Sequence, residues 1–199
     1  MKRILAIIVL NLFFITPSQA DDIRDFEIEG MSVGDSLLDY FSKKEIKDNT
    51  NTDYYTNTNN KYTSVEFFEL PSFEIYDSVE FNYKTDDKKY IIVGIGGALF
   101  CEKNIEKCNK KQTEIALEVS SMFENAKKDV QKAKKHDVDK SGKSTTSQIN
   151  FWFKSGEVVS IELLDWSEKF TNEKGWTDNL SVILYTSDFA QWMINDGQN

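Results

Sequence analysis

The sequence predicts an α+β fold in which one antiparallel sheet of about six strands, arranged as two three-stranded meanders, packs against one long amphipathic helix. Residues 90–100 form a nearly continuous apolar segment rich in β-branched side chains, as in a central strand covered on both faces. From residue 105 to 133 the apolar residues then recur every three or four positions, which indicates a helix with one buried face. Short helices are expected near both ends of the domain.

The first half of the chain contains two further strand-like segments, 65–70 and 74–84, which are separated by Pro71 and Ser72. They lead into the central strand, where Gly94, Gly96 and Gly97 carry no side chains. A large group, either a helix or an aromatic ring, can therefore approach this strand closely, and we expect the long helix to pack on residues 94–97.

The second half repeats this order of elements. Residues 148–154, 157–166 and 180–186 alternate apolar and polar side chains and predict three more strands. Ser187 or Asp188 then caps a last short helix.

The amino terminus has the pattern of a secretory signal peptide over residues 1–20. Lys2 and Arg3 precede an apolar run that is too short to span a bilayer, and Ala20 provides a small residue before the expected cut. We expect a periplasmic or secreted bacterial protein with one domain over residues 21–199 and no membrane span after signal removal. No cysteine follows the apolar run, so a lipid anchor is not expected.

The charge and the cysteine content limit the classes of function that this protein can have. The chain has 33 acidic and 24 basic residues, a net charge of −9, which argues against nucleic acid as a partner. Its two cysteines, Cys101 and Cys108, flank the turn between the central strand and the long helix. In an oxidising compartment they are expected to form a disulfide, and a reactive or metal-binding thiol pair is the alternative.

The segment after the signal peptide carries a family resemblance. Gly30-Met31-Ser32-Val33-Gly34-Asp35 forms a glycine-containing turn before the first predicted helix, with Ser32 and Asp35 spaced as in a capping box. Over residues 26–45 this opening resembles that of the small outer-membrane assembly lipoproteins of the SmpA/OmlA type, and also that of other exported bacterial proteins.

Two aromatic groups are candidates for a binding surface. Tyr54 and Tyr55, with Tyr62, lie in an amide-rich loop, and Trp166 and Trp176 lie in a second loop. Such side chains could contact a sugar or a protein. The alternative is that they attach their loops to the edge of the core.

Carboxylates are the only candidates for catalysis. Glu162, Asp165, Glu168 and Asp178 lie near the two loop tryptophans, and a carboxylate pair beside aromatic rings is what a glycoside hydrolase requires. Chance clustering in an acidic chain is the competing explanation, so no residue is assigned a catalytic role.

The region from 127 to 143 contains the other charged motifs. Asp137, Asp139, Ser141 and Gly142 match the first half of a calcium loop, but Gln148 occupies the position of the bidentate glutamate, so a solvated helix-to-strand turn is favoured. The lysines of this region could bind an anionic membrane or an acidic partner, or they could stabilise the end of the long helix.

These observations predict a non-enzymatic binding or interaction module of the bacterial envelope, with an unidentified protein or glycan as its partner and with no metal or cofactor. The alternative prediction is a carboxylate-based hydrolase that acts on a glycan.

Overall fold

The computed structural model describes residues 22–51, 60–101 and 104–195. These residues form one antiparallel sheet of eight strands in the order β1-β2-β3-β4-β8-β7-β6-β5. The strands are β1 Thr50–Asn51, β2 Tyr62–Phe68, β3 Ser78–Lys84, β4 Ile92–Phe100, β5 Lys127–Lys135, β6 Thr145–Trp152, β7 Val158–Asp165 and β8 Asn179–Tyr185. The signal peptide expected at residues 1–20 lies outside the described residues.

The predicted number of six strands is wrong, because each meander has four strands rather than three. The first gains the two-residue strand β1, and the second gains the nine-residue strand β5. The two meanders meet where β4 pairs with β8, from Gly94 opposite Tyr185 to Phe100 opposite Asn179.

The long helix is shorter than predicted. It is α2, Ile105–Met122, and the segment up to residue 133 belongs to β5 instead. Asn104 caps its start by accepting a hydrogen bond from the Lys107 N–H. The other helices are α1 Lys43–Asp48, α3 Glu168–Lys174 and α4 Ser187–Asn195, with 3-10 turns at Ile23–Asp25 and Leu37–Asp39.

One face of the sheet forms the hydrophobic core. Directly opposed residues make an unbroken buried row across six strands, and these are Val65, Phe81, Ile95, Leu184, Val159 and Phe151. The amphipathic helix α2 covers this face through Ala116 and Val119, lying mainly over β7 and β8 rather than on the glycine-containing strand β4 as predicted.

The close approach predicted at the glycines of β4 is confirmed, although aromatic rings rather than α2 make it. A Cβ atom at Gly97 would lie 2.5 Å from the Tyr76 ring, and one at Gly94 would lie 2.7 Å from the Phe189 ring of α4. Tyr76 covers the core face, whereas Phe189 packs on the opposite face against Tyr62 and Trp192.

The Cys101 and Cys108 side chains are at disulfide distance, with their Cα atoms 5.9 Å apart. Their bond joins the end of β4 to the first turn of α2, and closing so small a ring contributes about 2–3 kcal/mol in the chain-entropy account. Within the described part of the chain, no helix is both long enough and apolar enough to cross a membrane.

Candidate functional site

The second face of the sheet is lined by polar side chains. Alternate residues of the strands point away from the core, and on this side of the sheet most of them are Ser, Thr, Asn, Gln or Glu. We call this surface the polar face. It comprises Ser64, Glu66, Ser78, Glu80, Asn82, Thr146, Gln148, Asn150, Ser160, Glu162 and Ser181.

Two carboxylates lie side by side on the first meander. Glu66 and Glu80 are directly opposed in the pairing of β2 with β3, and both are half-buried. Glu80 accepts hydrogen bonds from Ser64 Oγ at 2.8 Å and from Asn82 Nδ2 at 3.0 Å, and Glu66 accepts one from Ser78 Oγ at 3.2 Å. Their positions are therefore fixed by neighbouring strand residues.

Burial raises the pKa of both carboxyl groups, and the neighbouring charge of Glu80 adds to the rise at Glu66. Burial, and then the charge of Glu80, raise the pKa of Glu66 to about 7. Burial also raises the pKa of Glu80, against the opposing effect of its two hydrogen bonds. Near neutral pH the Glu66 carboxyl can therefore hold a proton and act as a hydrogen-bond donor as well as an acceptor.

The second meander places one carboxylate on the same face. Glu162 accepts hydrogen bonds from Thr146 Oγ1 and Gln148 Nε2, each at 2.8 Å. All three side chains lie on adjacent strands, β6 and β7, which are paired in register. Glu162 is thus positioned as firmly as Glu80 but on the opposite side of the central strands.

The central strands β4 and β8 separate the two groups of carboxylates, with Gly96 and Ile183 directly opposed between Glu80 and Ser160. Gly96 and Ala98 of β4 lie between Glu80 and β8, where Ser181 directly opposes Glu162. At one end, Tyr185 packs against Phe189 of α4. Burial, followed by the charges of Glu80 and Glu162, raises the pKa of Tyr185, so its hydroxyl remains a neutral donor.

Basic side chains in the described part of the chain do not form ion pairs with these carboxylates. Among the described residues, no Lys or Arg lies within 4 Å of the carboxylates of Glu66, Glu80 or Glu162. The nearest basic strand is β5, whose Lys127 and Lys134 oppose polar-face positions of β6. Half-buried carboxylates without a cationic partner can accept hydrogen bonds from a ligand that carries hydroxyl, ammonium or guanidinium groups.

The loop that resembles a calcium site serves a structural role instead. It connects β5 to β6 and is therefore a strand-to-strand turn, not the helix-to-strand turn expected from the sequence. The Asp139 carboxylate accepts hydrogen bonds from the Ser141, Ser144 and Ser167 hydroxyls at 2.6–3.0 Å, and those of Ser144 and Ser141 contribute most to lowering its pKa. Asp139 thus joins this loop to the start of α3.

No described group of three or more His, Cys, Asp or Glu side chains is arranged to hold a metal ion. A shallow cavity of about 220 Å³ borders the Asp139 loop, with Val138, Lys169 and Phe170 in its lining. Because the polar groups of Asp139 are already engaged with serines, this cavity offers few unused hydrogen-bonding groups.

The two loop tryptophans belong to one aromatic cluster. Trp166 is buried and stacks on Phe170 at 5.1 Å, and it also contacts His136 and Trp176. Trp176 is 44 % exposed, so it is the member of this cluster that a ligand could contact.

The carboxylates predicted for hydrolysis do not all come together. Glu162 lies on the polar face, whereas Asp165, three residues later on β7, points to the other side of the sheet. Asp165 interacts with Asp178 instead: burial, and then the charge of Asp178, raise the pKa of Asp165. Asp178 itself accepts a hydrogen bond from the Trp166 N–H at 2.7 Å.

The tyrosines named from the sequence have different positions. Tyr54 and Tyr55 lie outside the described residues. Tyr62 is buried beneath α4, between Phe189 and Trp192, with ring centroids at 4.8 and 4.7 Å. Its hydroxyl has no hydrogen-bond partner among the described residues.

Glu66, Glu80 and Tyr185 were not identified from the sequence as site residues. The available signal was the alternation in 62–68 and 78–84, which places Ser and Glu on one face of the first strand and Ser, Glu and Asn on one face of the second. That pattern is also typical of any solvent-facing strand, and only the pairing of β4 with β8 shows that both meanders contribute carboxylates to one face. Comparison of the chain with protein-family models, with curated proteins and with solved structures gives no match.

Proposed function

We propose that this protein is an exported, non-enzymatic binding module of the bacterial envelope and that its polar face is the surface that recognises a protein or glycan partner. The supporting observation is the arrangement of Glu66, Glu80 and Glu162, three half-buried carboxylates on one sheet face without a described basic partner. A partner that donates hydrogen bonds or carries positive charge would complement them.

Rigid positioning supports recognition at this face. Five side chains hold the carboxylates of Glu80, Glu66 and Glu162 through hydrogen bonds, Asn82 from the same strand as Glu80 and the other four from neighbouring strands, namely Ser64, Ser78, Thr146 and Gln148. Because the groups are fixed before a ligand arrives, little side-chain entropy is lost on binding.

Two features support export. The pattern of residues 1–20 predicts a signal peptide, and the Cys101–Cys108 pair is at disulfide distance. Disulfides persist in the periplasm and outside the cell, whereas reducing systems remove them in the cytosol.

Site-specific photo-crosslinking in envelope extract tests the binding face. A photoreactive residue in place of Ser181, at the centre of the polar face, is expected to capture a discrete partner. A matched probe at Leu117, which is 64 % exposed on α2 and therefore on the other side of the sheet, is expected to capture none.

The same experiment on the Glu80→Gln/Glu162→Gln variant separates recognition from proximity. Loss of the Ser181 crosslink in a double variant that still unfolds cooperatively would support the proposal, because glutamine keeps the size of the side chain but removes its negative charge and replaces one acceptor oxygen by an NH2 donor. Equal capture from positions 181 and 117, or capture that the double variant retains, would contradict it.

A carboxylate-based hydrolase acting on a glycan is the second candidate function, and Asp165 is the residue that favours it. Its pKa is raised by burial and by Asp178, as a general acid requires, and Trp166, the next residue in the chain, contacts Trp176. Release of reducing ends from an envelope glycan by the wild-type protein, and loss of that activity in Asp165→Asn, would favour hydrolysis over binding.

A further inference from the structure

The strand β5 forms one edge of the sheet, and its outer side is open. It pairs only with β6 among the described residues, and eight of its nine residues are exposed. Alternate backbone N–H and C=O groups of such a strand point away from the sheet, which provides a template for the addition of another strand.

This edge is basic, whereas the chain as a whole is acidic. In a chain with a net charge of −9, β5 has five lysines and one acidic residue, Asp129. The sequence offered a simple explanation, that these lysines stabilise the carboxyl end of the long helix. The structure excludes this explanation, because α2 ends at Met122 and has no basic residue in its last turn.

The lysines surround the edge on both sides. Lys127 and Lys134 oppose polar-face positions of β6, whereas Lys128 and Lys135 oppose residues on the core side. Among the described residues none of the five lysines forms an ion pair with a carboxylate. An added strand would therefore meet lysines without a described carboxylate partner on both sides of its plane, of which Lys128 also lies over the Phe151 ring and Lys135 beside Gly142.

We infer that the β5 edge binds an extended acidic segment of a partner protein by strand addition, with backbone pairing to β5 and carboxylates directed at its lysines. Acidic side chains near both ends of the added strand would match the lysines at each end of β5. An apolar side chain between them would match Val130, which is 56 % exposed.

A second copy of this chain is a poor occupant of the same edge. Antiparallel pairing of β5 with itself would place lysines opposite lysines, which is destabilising. The register shift between Gln131 and Lys134 also bends the strand and disfavours flat self-pairing. These features allow an oppositely charged strand while they discourage a like-charged one.

An anionic membrane is also less suitable than a peptide. Lysines that point to both sides of a strand do not form one flat cationic surface, and the acidic remainder of the chain would be repelled by such a membrane.

Binding of a fluorescent nine-residue peptide with two adjacent glutamates at each end and valines between them, Glu-Glu-Thr-Val-Thr-Val-Thr-Glu-Glu, tests the inference on the oxidised protein, because adjacent glutamates direct one carboxylate to each face of the added strand. Measured by fluorescence anisotropy, the Lys132→Glu/Lys134→Glu variant is expected to bind at least tenfold more weakly than the wild type. The variant Lys107→Glu/Lys110→Glu makes the same charge change on the exposed side of α2 and is expected to bind as the wild type does.

Two further probes separate strand addition from simple charge attraction. The same peptide methylated at alternate backbone nitrogens keeps its charge but cannot pair, so it is expected to lose binding, and the unmodified peptide is expected to slow amide exchange in β5. Equal binding of both peptides, or no binding of either, would overturn the inference. Lysine-dependent binding to phosphatidylglycerol vesicles without peptide binding would overturn it as well.

Discussion

Glu66 connects the polar face to the pH dependence of stability. Its pKa in the folded protein is about 7, compared with an ordinary value of 4.5, because of burial and the adjacent charge of Glu80. Between these two pH values the folded state holds a proton that the unfolded state has released. The contribution of this residue to stability is therefore full below about pH 4.5, declines as the pH rises to about 7 and is lost above that pH, where both states have released the proton.

Replacement of Glu66 by Gln is expected to remove this decline. Urea denaturation at pH 5 and pH 8 should show the wild type losing stability at the higher pH. The variant should be more stable than the wild type at pH 8 by about 1–2 kcal/mol, a value reduced for partial exposure of the side chain.

The exposed Glu74→Gln variant is the control and should follow the pH profile of the wild type. A Glu66→Gln profile parallel to that of the wild type would show that this carboxyl ionises normally in the folded protein.

At the scale of the element, the glycines of β4 leave space for two aromatic rings, Tyr76 and Phe189, to pack directly on the strand. A Cβ at Gly97 would lie 2.5–2.7 Å from three atoms of the Tyr76 ring, so the Gly97→Ala variant must displace that ring from the core. We expect the free energy of unfolding to fall by about 1–3 kcal/mol, as measured by urea denaturation.

Gly96→Ala is the matched control one residue earlier on the same strand. There the nearest atom to a new Cβ is Ile183 Cγ1 at 3.3 Å, on the opposite face. This variant should stay within about 0.5 kcal/mol of the wild type, since the loss of unfolded-state entropy offsets a small contact strain. Equal effects of the two substitutions would contradict the role assigned to Tyr76.

The sequence predicts β4 well and β5 poorly, for physical reasons. Ile92 to Phe100 is β-branched and apolar on both faces, and few helices have that pattern. By contrast, β5 is an exposed edge with no apolar face of its own. Lysines favour helices, and Val130 and Ala133 continue the helical spacing of Val119 in α2 and of Phe123 and Ala126, which follow that helix.

The polar face could not be predicted for a different reason. Glu80 and Glu162 are 82 positions apart in sequence, and each alone is typical of a half-exposed strand. They share one surface because β4 and β8 pair, which is a contact between the ends of the two meanders that no local pattern specifies. The disulfide was predictable because the two cysteines are only seven residues apart, on either side of the connection from β4 to α2.

At the scale of the whole molecule, the same pairing joins the two meanders into one sheet. The buried row from Val65 to Phe151 crosses the seam between Ile95 and Leu184 without interruption, and α2 covers its second half. A core shared in this way cannot be lost from one meander without exposing the apolar edge of the other. We therefore expect both meanders to unfold together, as one domain over residues 21–199.

Tryptophan fluorescence of the Trp192→Phe variant can test this cooperativity, because the three remaining tryptophans, at positions 152, 166 and 176, lie in the second meander and its connections, whereas Trp192 packs on Tyr62 of the first meander. The amide resonances of Val79 and Phe81 report on the first meander. In a urea titration the two signals should share one midpoint, and Leu184→Ala at the seam should lower both midpoints equally, by an amount that corresponds to about 2–5 kcal/mol. Separate midpoints for fluorescence and for the first-meander amides would show that each meander folds as its own unit.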